Sequence, residues 1–303
     1  MIDRLDYDLA GRRFFGDAFP EVWMNFGPGA AAAFLGASLQ NAENTVWFSP
    51  KNVQEITDLR LRLDPSNPWF RRIAELKQAA MEYWKGNVQV GMTDLGGTMD
   101  LISTFRPGEK LLLDLYDHPE EVRRLSREAH EAFWEAFHAY DKILSANPGY
   151  TCWTPIFSET PYYMLQCDFA YMIGPDMFDS FVVPELHAAC RRLDHAFFHL
   201  DGPGMLPHLD SLLSIPELKG IQWVPGAGAP DITQWPEVYR KIHAAGKRIQ
   251  VGIHQSSAGL RILDILADQI GDVSGVIAIG GLSRDREGET RALLRKYGVG
   301  KGD

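Results

Sequence analysis

The stretch Ala196-Phe197-Phe198-His199-Leu200-Asp201-Gly202-Pro203-Gly204 sets the architecture. A mostly apolar run, interrupted by His199 and Asp201, is stopped by Gly-Pro-Gly, and it reads as a strand. The same sentence recurs downstream. Gly220-Ile221-Gln222-Trp223-Val224-Pro225 closes on Gly226-Ala227-Gly228, Arg248-Ile249-Gln250-Val251-Gly252-Ile253-His254 follows, and Gly275-Val276-Ile277-Ala278-Ile279 comes last. Helical patterns separate them: Leu206 to Leu213, about Trp235 to Ala245 (Thr233 as N-cap, Gly246 as stop), Leu260 to Ile270, and Arg284 to Tyr297. Strand, short loop, helix and strand at this spacing build right-handed βαβ units and a parallel sheet.

The first half fits the same plan less regularly. Strands are expected at Val22-Trp23-Met24-Asn25-Phe26, Val88-Gln89-Val90-Gly91-Met92 and Met164-Leu165-Gln166-Cys167-Asp168. Pro119 opens a helix to Leu144, with Glu120 and Glu121 in its first turn, and Ser180 to Leu193 reads as a helix whose first turn falls near Pro184. Seven strands result, near residues 22, 89, 165, 198, 222, 251 and 277. A closed barrel needs eight, and Tyr150-Thr151-Cys152-Trp153-Thr154 is the available extra. No linker or repeat divides the chain, so 1–303 is expected to form one domain.

Composition narrows the function. A formal net charge of −10 gives no electrostatic footprint for nucleic acid, and no apolar run approaches the ~20 residues of a membrane span. Three cysteines, an odd number in a long chain, suit a reducing cytoplasm better than a disulfide framework. The chain has no P-loop, no G-x-S-x-G elbow, no H-E-x-x-H and no C-x-x-C. Gly226-Ala227-Gly228 lacks the third glycine of a dinucleotide fingerprint.

The runs Gly91-Met92-Thr93-Asp94-Leu95-Gly96-Gly97, Gly108 to Val122, Phe198 to Gly202 and Gly220 to Trp223 resemble the uroporphyrinogen decarboxylase-like superfamily over nearly the whole chain. The resemblance implies a (β/α)8 TIM barrel, here with the first strand absent or altered, since Glu21 to Phe26 stands in the place of the second. It also implies either porphyrinogen decarboxylation or zinc-dependent methyl transfer involving a corrinoid on a partner protein. The decarboxylases carry substrate-binding arginines near their first strand, and no such motif occurs here. The zinc methyltransferases share a His-x-Cys pair and a later Cys on the last strand. Here the pair is His199-x-Asp201, and the last strand offers Ile279-Gly280-Gly281.

His199 and Asp201, two apart on one strand, leave the same face at the carboxyl end, where barrels build their sites. They read as zinc ligands, as an acid–base couple, or as an inward His beside an Asp that caps the Gly-Pro-Gly turn. His254 and Cys167 are the further metal-ligand candidates, each with a plain alternative: a loop histidine bonded to Ser256 or Ser257, and a small buried thiol. Asp94, before Gly96-Gly97, suits a carboxylate that binds a cation or a substrate amine, or a catalytic group that handles protons in a decarboxylase, with capping of the next helix as the leading plain reading. Asn25, Asp168, Trp223 and Gln255 are the candidate substrate-binding residues. Trp23, Trp153, Tyr162, Tyr163 and Trp235 together suit the wall of an apolar cavity, though each alone suits packing.

The expectation is therefore a methyltransferase acting with zinc and a corrinoid protein on a small methylated substrate or thiol. A metal-free decarboxylase of a small carboxylic acid and a non-catalytic ligand-binding barrel stand as alternatives.

Overall fold

A computed structural model describes residues 1–43 and 45–299. Strand β1 (Glu21–Trp23) lies first in the chain, followed by β2 (Ser38–Asn41), β3 (Val46–Ser49) and β4 (Gln89–Gly91). The second half supplies β5 (Tyr162–Leu165), β6 (His195–Asp201), β7 (Leu218–Val224), β8 (Arg248–Gly252) and β9 (Val276–Ile279). β5 to β9 form one parallel sheet in chain order, and β1 pairs parallel with β4 through Val22 and Val90. Each of the seven strands expected from sequence overlaps one of the seven parallel strands observed, but β5 lies earlier than Met164 to Asp168: Gln166 and Cys167 have left the strand, and Asp168 opens a 3-10 turn. Among the described residues the extra candidate at 150–154 supplies only isolated bridges, Met92 to Cys152 (parallel) and Tyr150 to Ser158 (antiparallel).

These pairings make an α/β fold with parallel sheets. Among the described residues no ladder joins β9 to β1 or residue 152 to β5, so hydrogen bonds do not close the ring. β2 and β3 form an antiparallel hairpin that the sequence reading did not anticipate. It packs over the loop after β1, where a Cβ on Gly27 would lie 2.7 Å from Cβ of Val46.

Helices cover the sheet. Pro119–Leu144 begins with Pro in its first turn and buries Val122, Leu125, Ala129, Phe133, Ala136, Tyr140 and Leu144, a stripe at the three- and four-residue spacing of one helical face. It packs beside Pro68–Trp84, whose N-cap Asn67 accepts hydrogen bonds from Trp69 N and Phe70 N at 2.9 and 3.4 Å. Buried apolar side chains from Leu9 to Leu266 form one hydrophobic cluster.

Several helix limits differ from the sequence reading. The stretch from Ser180 to Leu193 falls across two helices, Pro175–Phe181 and Val183–Cys190, because Pro184 suits a first turn and not a helix interior. Leu206 to Leu213 is a 3-10 turn (Pro203–His208, with Pro207 inside it) running into the short helix Leu209–Leu213. Thr233 is not an N-cap: Pro236–Ala244 starts after Trp235 without a side-chain cap, while Asp231 accepts from Thr233 N in the preceding turn. Gly246, at φ +67°, does stop that helix.

Candidate active site

β6 ends at the carboxyl edge of the sheet with His199 and Asp201 on one face, and Nε2 of His199 lies 3.6 Å from Oδ2 of Asp201. Asp168, just beyond β5, completes the group: one ligand atom from each of Asp168, His199 and Asp201 lies within 4.8 Å of the others. The opposite ring nitrogen of His199, Nδ1, meets Oε1 of Gln222, its in-register neighbour on β7. Trp153 stands edge-on to the imidazole, with ring centroids 5.3 Å apart.

Asp168 is placed by another carboxylate. Asp100, in the first turn of the helix Thr98–Phe105, accepts hydrogen bonds from Asp168 N at 3.1 Å and Phe169 N at 2.7 Å. This approach depends on Gly97, where a Cβ would stand 2.2 Å from the backbone oxygen of Gln166. Asp94 is held similarly: its Oδ1 accepts from Gly96 N at 2.9 Å and Gly29 N at 3.2 Å. Tyr163 fixes the loop between them, accepting from Leu95 N and donating to the Thr93 carbonyl.

The electrostatics follow from crowding. Burial raises Asp94 to about 6, against the backbone bonds and the His199 charge that lower it, while Asp168 adds to the rise. Burial and the charge of Asp168 push Asp100 up. Asp168 is raised by desolvation and by Asp201, with His199 pulling the other way. For His199, burial favours the neutral ring, but Asp201, Gln222 and Asp168 outweigh it and hold the pKa above its usual value. Three carboxylates, Asp94, Asp168 and Asp201, thus share the field of one imidazole, and Asp100 stands behind Asp168.

The proton on Asp94 has a consequence for stability. Its folded pKa exceeds the ordinary 3.8, so between about pH 4 and pH 6 the folded protein holds a proton that the unfolded chain releases. Stability therefore falls as pH rises through that window, by on the order of 3 kcal/mol for this group. Asp94→Asn keeps an oxygen for Gly29 N and Gly96 N and removes the titration. Urea unfolding across this range should show wild type losing more stability than the variant, and parallel curves would refute the assignment.

The remaining candidates lie outside the group. His254 is exposed, its ring beside Gly252 in a 3-10 turn after β8. Cys167 is buried, with its thiol pushed well up by burial, and belongs to no cluster of potential metal ligands among the described residues. Trp223 is buried edge-on against Trp235, 5.0 Å between centroids, and the residue of β7 that reaches His199 is its neighbour Gln222. Strand alternation sends these two side chains to opposite faces. Asn25 is exposed and folds back onto Gly27 N at 2.9 Å, and Gln255 is half-buried beside Gly252. Tyr162 and Tyr163 are fully buried and hydrogen-bonded to chain groups, with Tyr162 on Thr154 Oγ1 at 2.6 Å, so they pack and pin loops instead of walling an open cavity.

Gln222 and Asp100 were missed by sequence reasoning. Gln222 had a signal, a lone amide inside the apolar run Gly220-Ile221-Gln222-Trp223-Val224, whereas Asp100 looked like an ordinary acidic residue in a helix first turn.

The donor set suits a divalent cation of zinc type: one imidazole and two carboxylates match the three protein ligands of a catalytic site that keeps a fourth position open. The 3.6 Å between Nε2 and Oδ2 is close to the spacing of two ligands on one tetrahedral ion, and Nδ1 already has an outer partner.

The chain matches no protein-family model and no curated protein. Among solved structures it is similar to a methyltransferase from Methanosarcina mazei, with a TM-score of 0.64 and 11% identity, over 98% of this chain and 84% of that one. At that identity the likeness is one of fold. No helix among the described residues is long and apolar enough to cross a membrane.

Proposed function

We propose that this chain is a methyltransferase that uses a zinc ion held by Asp168, His199 and Asp201 and exchanges a methyl group with a corrinoid on a partner protein, with a small thiol or methylated compound on the other side. The observation that carries the reading is the convergence of those three ligand atoms within 4.8 Å at the carboxyl edge of a parallel sheet. The fold it shares with a methyltransferase supports it.

When bound, the cation lowers the pKa of a ligated thiol, so that the acceptor is a thiolate at neutral pH. The chain's own groups supply the rest. His199 presents Nε2, Asp168 and Asp201 supply negative charge, and Asp100 fixes the turn that carries Asp168. Asp94, with a pKa of about 6, is matched to accept the proton that the thiol sheds.

One observation favours a second reading. Asp94 and His199 lie close enough to shift each other's charge balance, and a carboxyl poised near neutrality beside an imidazole is also what a metal-free decarboxylase would use. The two readings separate in the spectrometer. Zinc-loaded protein with a simple thiol should convert free methylcobalamin to its demethylated form, and the chelated protein should not. Carbon dioxide release from small acids, with methylcobalamin untouched, would replace the methyl-transfer reading by the lyase. Failure of both, with a ligand-dependent rise in melting temperature, would leave a binding barrel.

A further inference from the structure

His199, Gln222 and Gln250 stand in register across β6, β7 and β8, so their side chains leave one face of the sheet at one height. An amide oxygen can only accept a hydrogen bond. With Oε1 of Gln222 turned toward Nδ1 of His199, the contact is a hydrogen bond only when Nδ1 carries the proton. On the other side, 3.6 Å from Nε2 to Asp201 is longer than a hydrogen bond.

We propose that Gln222 is a positioning residue: its carbonyl keeps the neutral His199 ring protonated on Nδ1 and leaves the Nε2 lone pair bare toward Asp168 and Asp201. The need for it is electrostatic. An imidazole facing two carboxylates would otherwise place its proton on Nε2, where it satisfies Asp201 and blocks any cation from approaching that nitrogen. Gln222 is the counterweight, and the edge of Trp153 restricts rotation of the ring. The purpose of the lone pair rests on the zinc reading above, whereas the position of the proton does not.

Gln250 provides the control. It is fully buried in the same row, and among the described residues neither atom of its amide has a partner. It shares the depth and chemistry of Gln222 without touching His199.

The test is nitrogen NMR on metal-free protein labelled at histidine, in alkaline buffer where the ring is neutral, with His199→Asn identifying the signal. Wild type should show the Nδ1-protonated tautomer. Gln222→Met should shift it toward Nε2–H, Gln222→Glu should retain Nδ1–H, and Gln250→Met should change nothing. Zinc affinity by chelator competition should fall ~10–100-fold in Gln222→Met and be held or raised in Gln222→Glu. A wild-type ring protonated on Nε2, or a Gln222→Met ring that keeps its proton on Nδ1, overturns the assignment. Should Gln222→Met not fold, loss of Nδ1–H in Gln222→Glu overturns it equally. The expected tautomers in a protein that binds no zinc would uphold Gln222 and sink the zinc reading alone.

Discussion

On the proposed zinc reading, His199→Ala should lose the divalent cation and methyl transfer while leaving the fold in place. The imidazole is the single nitrogen donor of its group, and the two remaining carboxylates come from different segments, Asp168 after β5 and Asp201 at the end of β6. Losing an outer partner of a ligating histidine typically weakens binding ~10–100-fold, so deleting the ligand should cost more than ~100-fold. The fold should survive because the side chain lies at the sheet edge, and its direct hydrogen bond is to one amide. The measurement is zinc content after dialysis, with a melting curve on the same sample. Equal zinc in variant and wild type removes His199 from any cation site.

Asp114→Ala should strongly destabilise the fold. Arg106 Nε and Nη2 donate to the two oxygens of Asp114 at 2.6 and 2.9 Å, and Nη1 donates to the Gln54 carbonyl at 2.6 Å. Both side chains are almost completely buried, at 7% and 5% exposure. Removing the carboxylate strands a guanidinium in the interior, a loss of about 3–5 kcal/mol. Replacing both partners, Arg106→Met with Asp114→Leu, should recover much of it, because the charges themselves are costly to bury. Urea denaturation of the three variants decides, and a single-variant loss below ~1 kcal/mol would refute the prediction. The effect should reach the site, since Arg106 follows the helix whose first turn carries Asp100.

Strands β6 to β9 were legible because they are largely apolar runs closed by Gly, Pro or Asp, whereas β5 starts two residues before the run Met164 to Asp168 and ends three residues short of it. The hairpin of β2 and β3 was not legible. Ser38 to Asn41 is short and mostly polar, and only Val46-Trp47-Phe48 offered a β-forming signal. Ring closure was beyond reach as well, because pairing between distant strands depends on geometry that no local pattern encodes. At the site, the two-residue spacing of His199 and Asp201 was readable from strand alternation alone. The role of Asp168 was not, because it depends on the turn clamped by Asp100, 68 residues earlier in the chain. The sequence pattern points to Trp223 on β7, whereas the side chain beside His199 is that of Gln222, one position away and therefore on the other face.

The clamp of Asp100 on Asp168 sets one carboxylate behind another at the rim of the sheet, with Asp94 and Asp201 nearby. Mutual repulsion there is held in check by His199 and by the backbone N–H groups that clamp Asp94 and Asp100. A laboratory selection for ruggedness alone would neutralise these acids early, and its winners would be sturdier and chemically inert.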